Sequence, residues 1–201
     1  MKKLPLSFYE RADVVQIARE LLGKLLVTQW NGARTSGRIV ETEAYAGLQD
    51  KASHAYRGRT PRTEVLFDTT GSAYVYLCYG LHQMFNIATN KSGVPHAILI
   101  RAAEPLEGID VMLQRTGKKI PDASLTRGPG NVGKAFGFHR SQSGLSLQSE
   151  QLFIADDGYK IAEDAIGVSP RIGVDYAGED ALLPYRFYIK GNPYVSGKQK
   201  R

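Results

Sequence analysis

The sequence predicts a mixed α/β (α+β) fold: one compact domain over residues 1–201, with a mostly antiparallel curved sheet, flanking helices and a protruding β-hairpin. Three observations carry this expectation. Hairpin turn signals outnumber strand–helix–strand units along the chain. No repeat, low-complexity tract or Ser/Gly linker divides it. Its 201 residues, 42% hydrophobic and 23% charged, suit a single well-formed core rather than disorder.

Residues 12–22 place Val14, Val15, Ile17, Ala18, Leu21 and Leu22 at helical spacing, and Gly23 supplies the stop. A strand follows at 24–30. Asn31-Gly32 then turns the chain into a return strand at 37–45 that carries Glu41-Thr42-Glu43. Residues 47–72 form a long polar excursion holding Lys51, His54, Arg57, Arg59 and Arg62, with Thr60 before Pro61 as the start of a short helix. Two β-rich runs, 72–78 and 83–88, flank Tyr79-Gly80-Leu81-His82, a hairpin with an aromatic tip. A strand at 97–103 and a helix at 106–115 come next, then a glycine-rich turn, 126–131, into a helix ending near Phe136. Strands at 151–155, 170–174 and 185–190 fill the last third, and residues 198–201 are a basic tail whose order is left open.

Lys and Arg total 26 against 20 Asp and Glu, a net charge of +6, which points to a polyanionic partner. The single cysteine, Cys78, excludes an intrachain disulfide and a Cys-based zinc cage, and fits a reducing, cytoplasmic setting. The four histidines lack metal-ligand spacing, so no metal or cofactor is expected. No apolar run approaches a membrane span, and the opening Met1-Lys2-Lys3-Leu4-Pro5 leads into no secretory signal.

On an extended strand Glu41, Glu43 and Tyr45 share one face. Their apolar flanks suggest burial, and a buried carboxylate needs a partner. Arg101, at the end of Ile98-Leu99-Ile100, is the natural one. Tyr74, Tyr76 and Tyr79 fall within six residues, and a tyrosine at a hairpin apex is poorly placed for the core. On a basic protein such a residue suits base stacking or wedging. Gly128-Pro129-Gly130-Asn131 at a helix start admits either a phosphate contact or an ordinary turn.

Taken in order, these segments resemble the alkyladenine (3-methyladenine) DNA glycosylase family. The matching residues are Arg38-Ile39-Val40-Glu41-Thr42-Glu43-Ala44-Tyr45, 50–54, Thr60-Pro61-Arg62, Tyr74-Val75-Tyr76, Tyr79-Gly80, Asn86-Ile87, 98–108, Gly128-Pro129, 186–188 and 193–196. The resemblance implies a single compact domain without metal or organic cofactor that binds double-stranded DNA through the minor groove and flips out an alkylated purine; nothing in the sequence calls for an oligomer, so a monomer is expected. It implies Glu43 as general base and Arg101 as the residue that helps hold its water. Tyr45, His54 and Tyr76 become the walls around the flipped base, Tyr79 the wedge, and Asn86 the pocket-floor residue that crowds the amine of a normal guanine. Lys51, Arg57, Arg59, Arg62 and Lys134 are the candidate DNA contacts. Thr63, His82 and Gln83 depart from the family pattern and bear on substrate range and DNA grip.

The chemistry suits a single carboxylate. An alkylated purine such as 3-methyladenine or 7-methylguanine is cationic and already a good leaving group, so hydrolysis needs one base to deprotonate water and offset oxocarbenium charge. Neutral lesions such as hypoxanthine or ethenoadenine also need a proton donor, for which His54 is one option. Apart from Lys51, no lysine sits in these motifs, so a hydrolase without a Schiff-base step is expected. A non-catalytic nucleic-acid-binding module of the same fold is the alternative, and a nucleoside or sugar glycosidase a third reading.

Overall fold

A computed structural model describes residues 1–197; the basic tail at 198–201 lies outside the described residues. Nine strands form one open sheet there: β1 (Lys2–Lys3), β2 (Leu25–Trp30), β3 (Ala33–Tyr45), β4 (Ala73–Cys78), β5 (His82–Thr89), β6 (His96–Glu107), β7 (Leu152–Asp156), β8 (Ile166–Ser169) and β9 (Arg186–Ile189). Their order is β1-β7-β2-β3-β6-β5-β4, with β9 beside β3 and β8, and every pairing is antiparallel. The helices are α1 (Leu6–Tyr9), α2 (Val14–Glu20), α3 (Glu64–Asp68), α4 (Ile109–Thr116) and α5 (Pro129–Ala135), so the fold is α+β as expected.

Strand β3 organises the sheet. Asn31 and Gly32, with φ of 52° and 81°, make the tight turn from β2, as the Asn-Gly pair predicts. Along one edge β3 pairs first with β2 and then, at Glu41 to Glu43, with β9; along the other it runs beside β6. Period-2 alternation then separates two faces. Ala44, Ala73, Val75, Phe85, Ile87, Ile98 and Ile100 face one way and join Val14, Ile17, Ala18, Leu21 and Leu22 of the α2 segment in the main core. Asp13 caps α2 by accepting from the Gln16 amide at 2.9 Å, and Thr42 Oγ1 ties β3 to the helix by donating to the Ala18 carbonyl at 2.8 Å.

Helix α5 packs against β5 without room for side chains. A Cβ at Gly133 would stand 1.8 Å from the Gln83 carbonyl oxygen, so the glycine-rich segment buys close helix–strand approach beneath the hairpin. At the tip, the Leu81 amide donates to the Cys78 carbonyl at 3.1 Å across Tyr79 and Gly80, whose φ values are 49° and 70°.

Three segments differ from expectation. Residues 106 and 107 extend β6, where Glu107 pairs with Ser36; left-handed Gly108 (φ 70°) ends the strand and the helix starts at Ile109. Thr60 and Pro61 begin a turn rather than a helix. The Thr60 carbonyl accepts from Glu64, and Thr60 and Thr63 bond reciprocally before α3 begins. Residues 170–174 are not a strand: pairing with β9 stops at Ser169, because Pro170 has no N–H to extend the ladder.

Candidate active site

One row of residues crosses five strands opposite the core. Arg186 pairs with Glu43, Glu43 with Leu99, Leu99 with Asn86, and Asn86 with Tyr74. Arg101 shares this face with Leu99 by alternation, while the β3–β6 register shifts on both sides of Glu41 and leaves Arg101 without a cross-strand partner on β3. Its guanidinium reaches Glu41 Oε1 from Nε at 2.8 Å and Glu43 Oε2 from Nη1 at 3.3 Å. Burial alone would lower the Arg101 pKa, but the charges of Glu43 and Glu41 outweigh it and raise the value.

Glu43 is fully covered and held at both oxygens. Oε1 accepts from the Ile172 amide at 2.8 Å, and Oε2 accepts from the Tyr45 hydroxyl at 2.8 Å as well as from Arg101. Burial, and then the charge of Glu43, raise the Tyr45 pKa well above the usual phenol value, so Tyr45 stays a donor. Behind this pair Glu41 gathers Arg101, Arg186 and Ser196.

In front of the row lies a cavity of about 410 Å³, within the range of small-ligand pockets. It brings together Tyr45, His54, Arg62, Tyr76, Tyr79, Asn86 and Arg101, all singled out in the sequence, while Glu43 sits just beneath its Tyr45–Arg101 wall. His54 and Tyr76 meet edge to face at 4.5 Å, and the Arg62 guanidinium lies 4.9 Å over the Tyr76 ring. Asn86 is anchored by its amide nitrogen, which donates to the Tyr74 and Met84 carbonyls at 3.2 and 3.3 Å. Burial first, then the Arg62 charge, lower the His54 pKa from 6.5 to about 4, so the imidazole is neutral near pH 7. Tyr79 stands 91% exposed at the cavity mouth.

Lys51, Arg57, Arg59 and Lys134 do not line the cavity. Lys51 and Arg57 are exposed on the 47–72 excursion; Arg59 is bidentate to Asp68 at 2.6 and 2.7 Å, and Lys134 donates to the Thr116 carbonyl at 3.2 Å. Among the described residues no cluster of three His, Cys, Asp or Glu could hold a metal ion.

Two site residues escaped the sequence reading. Arg171 grips Asp50 with two bonds of 2.5 and 2.8 Å, donates to the Ala44 and Asp180 carbonyls, and lies 4.8 Å over the Tyr45 ring. It thereby fixes the segment whose next residue, Ile172, holds Glu43. Tyr176, 70% exposed, forms part of the cavity lining and donates to the Ala52 carbonyl at 3.1 Å. An arginine inside a short mixed run, and a tyrosine in a loop, gave no local signal.

This geometry coincides with a family-wide match. Residues 7–193 match the model for "Methylpurine-DNA glycosylase (MPG)". The chain belongs to the methylpurine-DNA glycosylase family. A relative from Clostridium acetobutylicum is 44% identical over 98% of this chain and 99% of its own length. One from Desulfitobacterium hafniense is 43% identical over 98% and 100%, and one from Bacillus cereus strain G9842 is 46% identical over 96% and 98%. Each of the three carries the name "Putative 3-methyladenine DNA glycosylase". As a methylpurine-DNA glycosylase family member the protein is a DNA glycosylase, and the cavity, the buried acid and the basic composition belong to a DNA-repair enzyme. No helix among its described residues is long and apolar enough to cross a membrane.

Proposed function

We propose that this glycosylase flips alkylated purines, 3-methyladenine and 7-methylguanine foremost, from duplex DNA and hydrolyses their N-glycosidic bond with Glu43 as general base. The observation that carries this reading is the position of Glu43: a fully covered carboxylate, held by Arg101, Tyr45 and the Ile172 amide, directly behind an aromatic-walled cavity of purine-binding size. The base enters between Tyr45 and the His54–Tyr76 pair, where electron-rich tyrosine faces favour a cationic purine over a neutral one. Asn86, on the cavity floor beside Leu99, disfavours the exocyclic amine of guanine. Tyr79 fills the gap left in the stack, offsetting part of the few kcal/mol that extrusion costs.

A water admitted with the nucleotide loses its proton to Glu43 while Arg101 orients both, and the carboxylate charge stabilises the oxocarbenium-like sugar. No lysine lines the cavity, which favours simple hydrolysis to an abasic site over a Schiff-base lyase step. DNA is met from the minor-groove side by the tip and the basic excursion, and the protein acts as a monomer. Because residues from Glu41 to Ser196 build one site, the chain is read as a single functional domain.

The test incubates alkylated duplex DNA with wild-type protein and with Glu43→Gln, and measures released purine bases. Wild type releases 3-methyladenine; the variant keeps its fold and DNA binding but loses roughly 10²-fold or more of the rate. Undiminished release by the folded variant removes Glu43 from the role.

A further inference from the structure

The cluster behind the cavity wall contains an acid and an arginine that the reaction does not touch. Glu41 Oε1 accepts from Arg101 Nε and Arg186 Nε, both at 2.8 Å, and from Ser196 Oγ at 2.9 Å; Oε2 accepts from the Ser196 amide at 2.7 Å. Arg186 completes its bonds with Ser169 Oγ at 2.9 Å and the Ser196 carbonyl at 2.5 Å, and stacks 4.5 Å over Tyr188. Glu41 and Arg186 are as fully covered as Glu43.

Stability alone is a weak reason for such a cluster. A buried ion pair is often no better than well-packed apolar side chains of the same volume. Charge balance is a better one. Glu41 and Glu43 carry two negative charges, and Arg101 and Arg186 carry two positive ones, so the cluster is neutral. Glycosidic bond cleavage develops positive charge on the sugar in front of Arg101. With Glu43 alone opposite two guanidinium groups, the buried cluster would carry a net positive charge. In a poorly screened interior that field would oppose the transition state.

We propose that Glu41 is the positioning residue that makes Arg101 usable: it fixes the guanidinium through Nε, leaves Nη1 for Glu43, and cancels the excess positive charge. The inference rests on Glu43 being the general base, and it extends the role of the strand to an acid that never meets substrate.

The test compares duplexes carrying a cationic pyrrolidine or a neutral tetrahydrofuran in place of one nucleotide. Glu41→Gln keeps the shape and most of the hydrogen-bonding capacity but leaves the cluster positive. It lowers the cationic-to-neutral affinity ratio roughly ten-fold or more. Tetrahydrofuran binding stays near wild type, and kcat on alkylated DNA falls with little change in KM. The double variant Glu41→Gln/Arg186→Gln restores neutrality and recovers most of the ratio. Should Glu41→Gln fail to fold, Arg186→Gln alone leaves the cluster negative and raises the ratio. An unchanged ratio in the single variants, or a double variant no better than Glu41→Gln, overturns the proposal. Glu43→Gln run alongside separates the two readings. If it stays active, the general-base assignment fails; if it is inactive while Glu41→Gln keeps a wild-type ratio, only the role of Glu41 fails.

Discussion

Beneath the cavity, here called the floor, Glu41, Glu43, Arg101 and Arg186 sit on three adjoining strands, covered and bonded to one another or to backbone. At the rim Tyr79 and Arg62, with Lys51 and Arg57 on the excursion outside the cavity, project from turns and loops into solvent. The floor spends desolvation energy to hold charges at fixed distances, which general-base chemistry requires. The rim keeps its groups exposed, which suits contacts that form only when DNA arrives. Tyr79 shows the second strategy best: a bulky residue at φ 49°, 91% exposed, with Leu81 beside it at 78%.

Six substitutions break or sharpen this contrast. The largest effect belongs to Arg171, which struts the floor: Arg171→Met strands a buried Asp50 carboxylate, and thermal or denaturant unfolding should reveal a loss of about 3–5 kcal/mol. At the rim, Tyr79→Gly acts in opposite directions on stability and function. Relief of the left-handed strain raises stability by about 1 kcal/mol in denaturant melts, whereas affinity for lesion-bearing duplex drops by about 1–3 kcal/mol in a binding titration. A variant that lost both would place Tyr79 with the floor.

His54 lies between the two regions. Its pKa is about 6.5 unfolded and about 4 folded, so the unfolded chain binds more protons in that window. Its contribution to stability is therefore complete above pH 6.5 and lost as pH falls towards 4. Melting curves from pH 7 to 4 should flatten in His54→Gln. A smaller effect is expected at Lys51 and Arg57, where alanine replacement leaves the melting temperature alone and reduces the log–log salt slope of duplex binding by about one unit each. Arg59→Ala is expected to change that slope less, since Asp68 already pairs with it.

Much of the floor was legible in the sequence, and the reason is local. Alternation alone puts Glu41, Glu43 and Tyr45 on one face, and an arginine at the end of an apolar run implies an acid to meet it. The hairpin tip was equally plain from Tyr79-Gly80. What stayed hidden depends on partners far away in the chain. Arg171 and Asp50 are 121 residues apart, and nothing in either neighbourhood announces the other. Residues 170–174 were misread for a related reason. Their short β-branched run invites a strand, but Pro170 ends the ladder and the segment serves instead to carry the Ile172 amide to Glu43. Thr63, a departure from the family pattern, is absorbed locally: its hydroxyl bonds the Thr60 amide and the Gly58 carbonyl and ties the turn before α3.

The anchoring of Glu41 by Ser196 also sets an order of events in biosynthesis. The acid leaves the ribosome 155 residues before the amide and hydroxyl that complete its shell. Until Ser196 has emerged, Arg101 and Arg186 share an acid that lacks half its partners.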